Sequence, residues 1–347
     1  MNHTEVHQRV AGVFPAPGRH PRRPRTTRVA VEHELLTADA LTGRSVPLDR
    51  VRAATARAPY APYLAFEPGG QVELSLPTAA CPVDIERRLR ADVSALRHDC
   101  AAAGIRLVAR PVDRRSEEAV PLRLCSPRYV AMQRHFDSIG PAGRTMMRRT
   151  ASTQVCLDWW SGRAGAEQWR VLQLTAPFLA AAFARSDGAT SRLATWLAVD
   201  PTRTAFDDRL LHGDDPIAAY ADFAWRAVVF TDPGDVDQHL TTLFPPVRPR
   251  GCYLEVRYPD VQDEDGAGRL VATLATLAYD DDLRREVLRR FEPGRAHLGR
   301  HWEEAAHGTG DVAAIGRDLV VSTLALTGGP AGSLAAAGGA GILDGAA

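Results

Sequence analysis

The chain contains no lysine: all 42 of its basic residues are arginine. A P-loop, a Schiff-base or pyridoxal mechanism and a protein kinase each need a lysine, so none of these operates here. Any phosphate the protein handles must be met by arginine or metal, and the planar arginine fork suits bidentate contact with phosphate and carboxylate. Cysteine is scarce too. Cys81, Cys100, Cys125, Cys156 and Cys252 are odd in number, scattered, and never in a C-x-x-C pair. That pattern speaks against a disulfide framework or structural zinc site and for a reducing, cytoplasmic setting. No apolar run approaches the roughly 20 residues of a membrane span, and the start, MNHTEVHQRV, lacks the charged-then-apolar plan of a secretory signal. Net charge is zero, so the whole-molecule field favours neither nucleic acid nor membrane.

What is present is an ordinary globular balance, 45% hydrophobic and 24% charged over 347 residues, with acids placed in a particular pattern. In RVAVEHELL (28–36), Glu32 and Glu34 share one face of a strand, opposite Val31, His33 and Leu35. AFEPGGQVELS (65–75) puts Glu67 before a Pro-Gly-Gly turn and Glu73 after it. There Gln71, Glu73 and Ser75 face one way, Val72 and Leu74 the other. TASTQVCLDW (150–159) sets Gln154, Cys156 and Asp158 opposite Val155 and Leu157, and GCYLEVRYPD (251–260) sets Tyr253, Glu255 and Arg257 opposite Leu254, Val256 and Tyr258. Paired into one sheet, these strands collect about six acids on a polar face. Like charges on neighbouring strands repel, so that face either stays solvated or holds a cation. Hard oxygen ligands without His or Cys suit magnesium or manganese.

Along the chain, residues 1–14 read as a short helix followed by a Pro/Arg-rich loop (15–27). Further helices are expected at 48–58, 82–103 (stopped by Gly104), 126–136 (Ser126 as N-cap, Pro127 at the first position), 165–185, 191–203, 235–243, 264–278 and 280–307. IRLVARPV reads as a strand, and 216–230 as a helix or a buried strand. Residues 328–347 are Gly/Ala-rich and read as a loose tail. No repeat or clean linker divides the chain, so a single domain (1–347) is expected. The class is α+β, an antiparallel sheet with helices over its apolar side.

In order, VEHE, EPGGQVELS, MMRRTASTQVCLD and YLEVR resemble the motifs of carboxylate–amine ligases of the glutamate–cysteine ligase type. HLTTLFPPVRPR followed by LEVRYPD is most similar to the branch that makes γ-glutamylcysteine for ergothioneine biosynthesis, the EgtA type. The resemblance implies an antiparallel sheet curved into a funnel, ATP and magnesium (or manganese) ions in its polar concavity, and helices on the convex face. It implies glutamate, cysteine (or another amine) and ATP as small-molecule partners, joined through a γ-glutamyl phosphate. Carried over by position, Glu32, Glu34, Glu67, Glu73 and Glu255 become metal ligands. Glu73, Glu255 and Arg257 take catalytic roles, Arg257 and Gln154 contact the nucleotide, and Arg128, Arg192, Trp196, Arg203 and Arg185 line the substrate side. Asp200 keeps the family spacing in SRLATWLAVDPTR, whereas His33 and the Met146–Met147 pair read as packed core.

The departures gather around the substrates. Cys156 and Arg185 stand where the family has asparagines, Ala30 replaces a glycine, and Cys252 looks like an inserted bulge. An arginine at 185 suits an extra carboxylate, and the short 230–235 link takes cover away from the cavity. A ligase for a different acid or amine, or a non-catalytic relative that binds nucleotide or amino acid, therefore stands beside the γ-glutamylcysteine reading.

Overall fold

The computed structural model describes residues 2–15, 25–185, 191–232 and 234–327. Most of the Arg/Pro-rich loop, the Ser186–Asp187 pair and the Gly/Ala-rich tail lie outside the described residues. Seven strands form one antiparallel sheet: β1 (Val29–Asp39), β2 (Leu64–Phe66), β3 (Val72–Ser75), β4 (Ile105–Val108), β5 (Thr153–Asp158), β6 (Val247–Pro249) and β7 (Tyr253–Val256). The order is β2-β3-β1-β5-β7-β6, with β4 pairing the last four residues of β1. The sheet does not close on itself. Alternation works as expected: Val31, Leu35, Val72, Leu74, Val155, Leu157, Leu254 and Val256 are buried on one face. His33 is buried with them, its Nδ1 3.1 Å from Thr153 Oγ1, and burial drops its pKa to about 4. It is a packed residue.

The helices are α1 (His3–Gly12), α2 (Leu48–Thr55), α3 (Pro82–Ala102), α4 (Pro127–Asp137), α5 (Ala142–Arg149) and α6 (Gly162–Ala182) in the first half. Then come α7 (Arg192–Leu197), α8 (Pro201–Thr204), α9 (Pro216–Arg226), α10 (Val236–Leu240), α11 (Glu264–Tyr279), α12 (Asp281–Phe291), α13 (Leu298–His307) and α14 (Val312–Leu326). Helices α3 and α11 pack on the apolar face of β1, and α6, mostly apolar, packs against α11 and is buried nearly all round, its buried Glu167 paired with Arg284. Ser126 caps α4 by accepting the Tyr129 N–H, and Gly104 ends α3 in the left-handed region at φ 68°. Among the described residues no helix is long and apolar enough to cross a membrane.

Several elements differ from the sequence reading for identifiable reasons. The 65–75 segment turns at Pro68-Gly69-Gly70 as expected, Gly70 adopting φ 93°, and so gives two hairpin strands, β2 and β3, where one strand was read. The 191–203 helix breaks in two, since Asp200 leaves helical geometry and caps a new turn that starts at Pro201. The 280–307 helix is also two, α12 and α13, joined by a 3-10 turn through Pro293-Gly294. Of residues 216–230, Pro216–Arg226 form helix α9 and the chain leaves it in an extended conformation at Ala227. Cys252 is not a bulge: with Gly251 (φ 74°) it forms the two-residue turn between β6 and β7, closed by Arg250 N–H to the Tyr253 carbonyl at 2.9 Å. Neither β6, a short Pro-bordered edge strand, nor α5 nor α14 was expected.

The Glu67–Gln71 turn is locked to the end of α5. Gln71 Nε2 donates to the Thr150 carbonyl (2.9 Å), its Oε1 accepts the Gly69 N–H (2.9 Å), and a Cβ on Gly69 would lie 2.0 Å from the Arg148 carbonyl oxygen. Gly69→Ala must therefore displace backbone and is expected to cost about 1–3 kcal/mol by overpacking. Gly140→Ala, where nothing lies within 4 Å, is expected to be near neutral. Denaturant unfolding of the two variants checks this, and equal stabilities would refute the close packing of the turn.

Candidate active site

Register decides which side chains meet on the polar face. Glu34 stands opposite Glu73, while Glu32 has Ser75 on one side and Gln154 on the other. Cys156 stands opposite Glu255, which faces Arg248 across the β6–β7 hairpin. Directly opposed residues of an antiparallel pair share a face, so the four acidic strands build one polar floor. Glu67 reaches it from the β2–β3 turn. The floor underlies a cavity of ≈ 160 Å³ whose opposite wall comes from α4, α5, α7 and the 241–246 segment. Arg128, Met132, Met146, Trp196 and Phe244 line that wall. Met132, Met146, Met147, Trp196 and Phe244 also pack together as a second apolar cluster. The two methionines are thus core and lining at once.

The acids divide into two electrostatic groups. Glu34 is tied down: its Oε2 accepts the Ser152 N–H (2.7 Å) and its Oε1 accepts Gln154 Nε2 (2.9 Å). Glu73 accepts the Ser75 hydroxyl at 2.7 Å. Burial pushes the Glu32 carboxyl up to about 7, with the Glu255 charge adding to it, and pushes Glu67 up to about 8, with Glu34 adding. Burial and the neighbouring Glu32 raise Glu73 well above the usual carboxylate range. Glu255, 1% exposed, behaves oppositely. Burial would lift it, but Arg248 and Arg257 override that and hold it below its ordinary value. Arg248 grips it at 2.7 and 3.0 Å, Arg257 Nε lies 2.9 Å away, and Arg250 Nε 3.3 Å. Gln154 bridges the groups, accepting from Arg257 Nε (3.1 Å) while donating to Glu34.

Hard carboxylate oxygens short of positive charge are a donor set that fits a divalent magnesium- or manganese-type ion. Among the described residues, however, no three His, Cys, Asp or Glu side chains are gathered closely enough to hold a metal ion as they stand. Glu255, expected as a ligand, has its oxygens committed to three guanidinium groups and must release one to meet a cation.

On the substrate side the expected residues separate. Arg128 lines the cavity and donates to the Thr241 carbonyl (3.1 Å), leaving its buried Nε without a partner. Trp196 and Arg192 line it too, although Arg192 spends its terminal nitrogens on the carbonyls of Arg257 (3.1 Å) and Tyr258 (3.0 Å). Arg185 does not face the cavity. It pairs with Asp263 (3.1 Å) while its N–H meets Asp260, so the charge expected at the substrates belongs to the N-terminus of α11. Arg203 is also not in the lining. Fully buried, it donates to Asp200 (3.1 Å) and to the Thr242 hydroxyl (2.7 Å), holding the 241–246 segment from behind, and Asp200 in turn lies 2.8 Å from His135 Nε2. The described residues of the short 230–235 link do not line the cavity, but Phe230 packs behind its wall. Phe230 stacks on His135 (4.6 Å) and lies under the Arg203 guanidinium (4.2 Å), packed against the second apolar cluster. Arg248 escaped the sequence reading. Its signal was there, since a two-residue turn at Gly251-Cys252 places it directly across from Glu255.

The sequence model of glutamate–cysteine ligase family 2 matches residues 28–307, from the start of β1 to the end of α13. The chain belongs to glutamate–cysteine ligase family 2. Among curated relatives, the glutamate–cysteine ligase EgtA of Mycolicibacterium smegmatis is 32% identical over 285 residues, covering 70% of this chain and 65% of that protein. EgtA of Mycobacterium tuberculosis is 30% identical, over 70% of this chain and 64% of its own length. The chloroplastic glutamate–cysteine ligase of Arabidopsis thaliana is 29% identical, over 65% and 50%. The chain thus spans about two thirds of the mycobacterial relatives and half of the plant one. A glutamate–cysteine ligase from Francisella tularensis, solved in complex with AMP, superposes with a TM-score of 0.50 at 10% identity, over 92% of this chain and 87% of that one. At that identity the likeness speaks to fold alone.

The raised carboxyls make a prediction with a definite sign. A carboxyl whose pKa is higher folded than its ordinary 4.5 binds protons more tightly when folded. Its contribution is fully present below pH 4.5 and lost as pH rises toward about 7 for Glu32 and about 8 for Glu67. In chelator, the melting temperature of the wild type should therefore fall relative to Glu67→Gln between about pH 5 and pH 8. Magnesium or manganese at the upper end should raise the wild type more than the variant. Parallel pH profiles would remove the charge crowding from the account.

Proposed function

We propose that the protein is an ATP-dependent ligase that joins the γ-carboxylate of glutamate to the amine of cysteine, with a place in ergothioneine biosynthesis and a cytoplasmic setting. The observation that carries the reading is the confrontation, in one cavity, of four crowded carboxylates with Arg128, Arg192, Arg248 and Arg257. Glutamate, ATP and an acyl phosphate are all anions, and a site for them needs fixed cations together with acids able to hold mobile ones. Glu32, Glu34, Glu67 and Glu73 would hold the divalent ions, which supply charge neutralisation at the transferring phosphoryl group.

Arg257, anchored by Glu255 and Gln154, is positioned to meet the phosphoryl oxygens, and Arg248 fixes Glu255 in turn. Arg128, with an unpartnered buried nitrogen, suits the α-carboxylate of glutamate. The glutamate γ-carboxylate attacks the γ-phosphorus of ATP, releasing ADP and leaving γ-glutamyl phosphate. The amine then attacks the acyl carbon, loses a proton, and phosphate departs. Trp196, Phe244 and the methionine wall exclude water from the acyl phosphate. Of the grounds for a different acid, Arg185 falls away because it turns to Asp263; Cys156, in place of an asparagine, stands opposite Glu255 on the sheet's polar face but outside the cavity lining.

Two measurements test this. ADP release with ATP, magnesium and glutamate should depend on an amine, cysteine first, with γ-glutamylcysteine identified by mass. Glu73→Gln should lower the rate by at least about 100-fold, equivalent to ~2.7 kcal/mol, with little change in melting temperature. Ligand-dependent thermal stabilisation without ADP from any amine would mark a non-catalytic relative, and full activity in folded Glu73→Gln would remove that acid from the machinery. Phe230→Ala should raise ADP formed per dipeptide, since loosening the wall admits water to the acyl phosphate. An unchanged ratio would show that the Phe230 clamp is only structural.

A further inference from the structure

A second cavity, ≈ 210 Å³, lies among α6, α12, α13 and α14 and shares no residue with the first. Five of its lining side chains are apolar, among them Phe178, Phe291 and Ile315, and Gly294 leaves one side without a side chain. The Phe178 and Phe291 rings meet edge-on at 4.9 Å, and the His301 ring lies 4.9 Å from Phe178. A dry cavity of about 150 Å³ lined by Leu, Ile and Phe is enough to take up benzene. This one has room for a ring and a few atoms more.

Two nitrogen groups at its edge, one buried and one on an exposed arginine, have no hydrogen-bond partner among the described residues. His301 Nδ1 is buried without a hydrogen-bond partner. Arg290 has no carboxylate partner among the described residues, whereas its neighbours Arg289 and Arg285 pair with Glu286 and Asp281. Its guanidinium lies 5.6 Å from the Phe291 ring, over the aromatic lining. A buried nitrogen left unpaired costs free energy that a ligand acceptor recovers when, as in the Nδ1–H tautomer, that nitrogen carries the hydrogen, and a guanidinium without a protein carboxylate selects one from a ligand.

We propose that this cavity binds a small monocarboxylate with an aromatic or branched apolar body. The body rests against Phe178, Phe291 and Ile315, and the carboxylate reaches Arg290 and His301. The proposal is independent of the ligase reading, because no residue of the first cavity takes part.

Calorimetric titration of the full chain with phenylacetate and, in parallel, uncharged 2-phenylethanol tests it. Gly294→Leu fills the space: position 294 has ordinary right-handed backbone, and its Cβ would sit 3.9 Å from His301 Cε1. Wild type should bind phenylacetate, and Gly294→Leu should weaken both probes at least tenfold with melting temperature retained. Arg290→Gln should weaken phenylacetate at least fivefold and leave 2-phenylethanol unchanged. Should Gly294→Leu misfold, Ile315→Trp fills the same space from α14. Absence of phenylacetate binding to the wild type overturns the proposal, since the cavity is then only a packing gap. Binding that survives filling lies elsewhere and overturns it too, as does Arg290→Gln affecting both probes alike.

Discussion

Crowding of like charge out of water is the constraint on which the site depends. Glu34 opposite Glu73, Glu32 on the same floor and Glu67 arriving from the turn put four carboxylates in one cavity. Three of them are pushed toward the neutral form by burial and by one another. Glu34 is compensated in part by the Ser152 N–H and Gln154 it accepts from, and Glu73 by the Ser75 hydroxyl, but Glu32 and Glu67 gain little to offset the crowding. A divalent cation held by these oxygens would relieve it as well.

Arginine supplies the opposing charge, and each arginine is used differently. Arg248 and Arg257 share Glu255 and so stand as a fixed cationic edge beside the uncompensated acids. Arg192 holds the chain leaving β7 by its carbonyls, and Arg203 holds the 241–246 segment through Thr242. The planar five-donor fork makes such buried, multi-carbonyl anchoring possible, and a lysine would satisfy fewer of these acceptors. A chain without lysine has made its guanidinium groups serve both as structural ties and as the charges facing the cavity.

The wall opposite the acids is built from parts far apart in sequence. Phe230, clamped between His135 and Arg203, joins α4, α8 and the short link into the apolar cluster that backs Trp196 and Phe244. The link is short, and its Phe230 packs behind the wall without lining the cavity itself.

Much of this was legible in the residues themselves. Period-two alternation in VEHEL, QVELS, TQVCLD and YLEVR assigns the acids to one face and the valines and leucines to the other, because a strand has only two faces. Ser126, Gly104 and the Pro-Gly-Gly turn mark their boundaries through local backbone chemistry alone. Ordered motifs pointed to the family for the same reason: acids at fixed spacing on strands are a local property. What lies across space was decided by tertiary structure. Arg203 keeps the spacing of substrate-facing residues and Arg185 stands at a position expected near the substrates, yet Arg203 is buried against Asp200 and Thr242 and Arg185 turns to Asp263, since position along the chain does not say toward which neighbour a long side chain reaches. The sharing of Glu255 among three arginines, the Phe230 clamp and the second cavity likewise depend on which elements pack together. Local sequence sets the face a residue occupies; only the packed fold sets what stands opposite it.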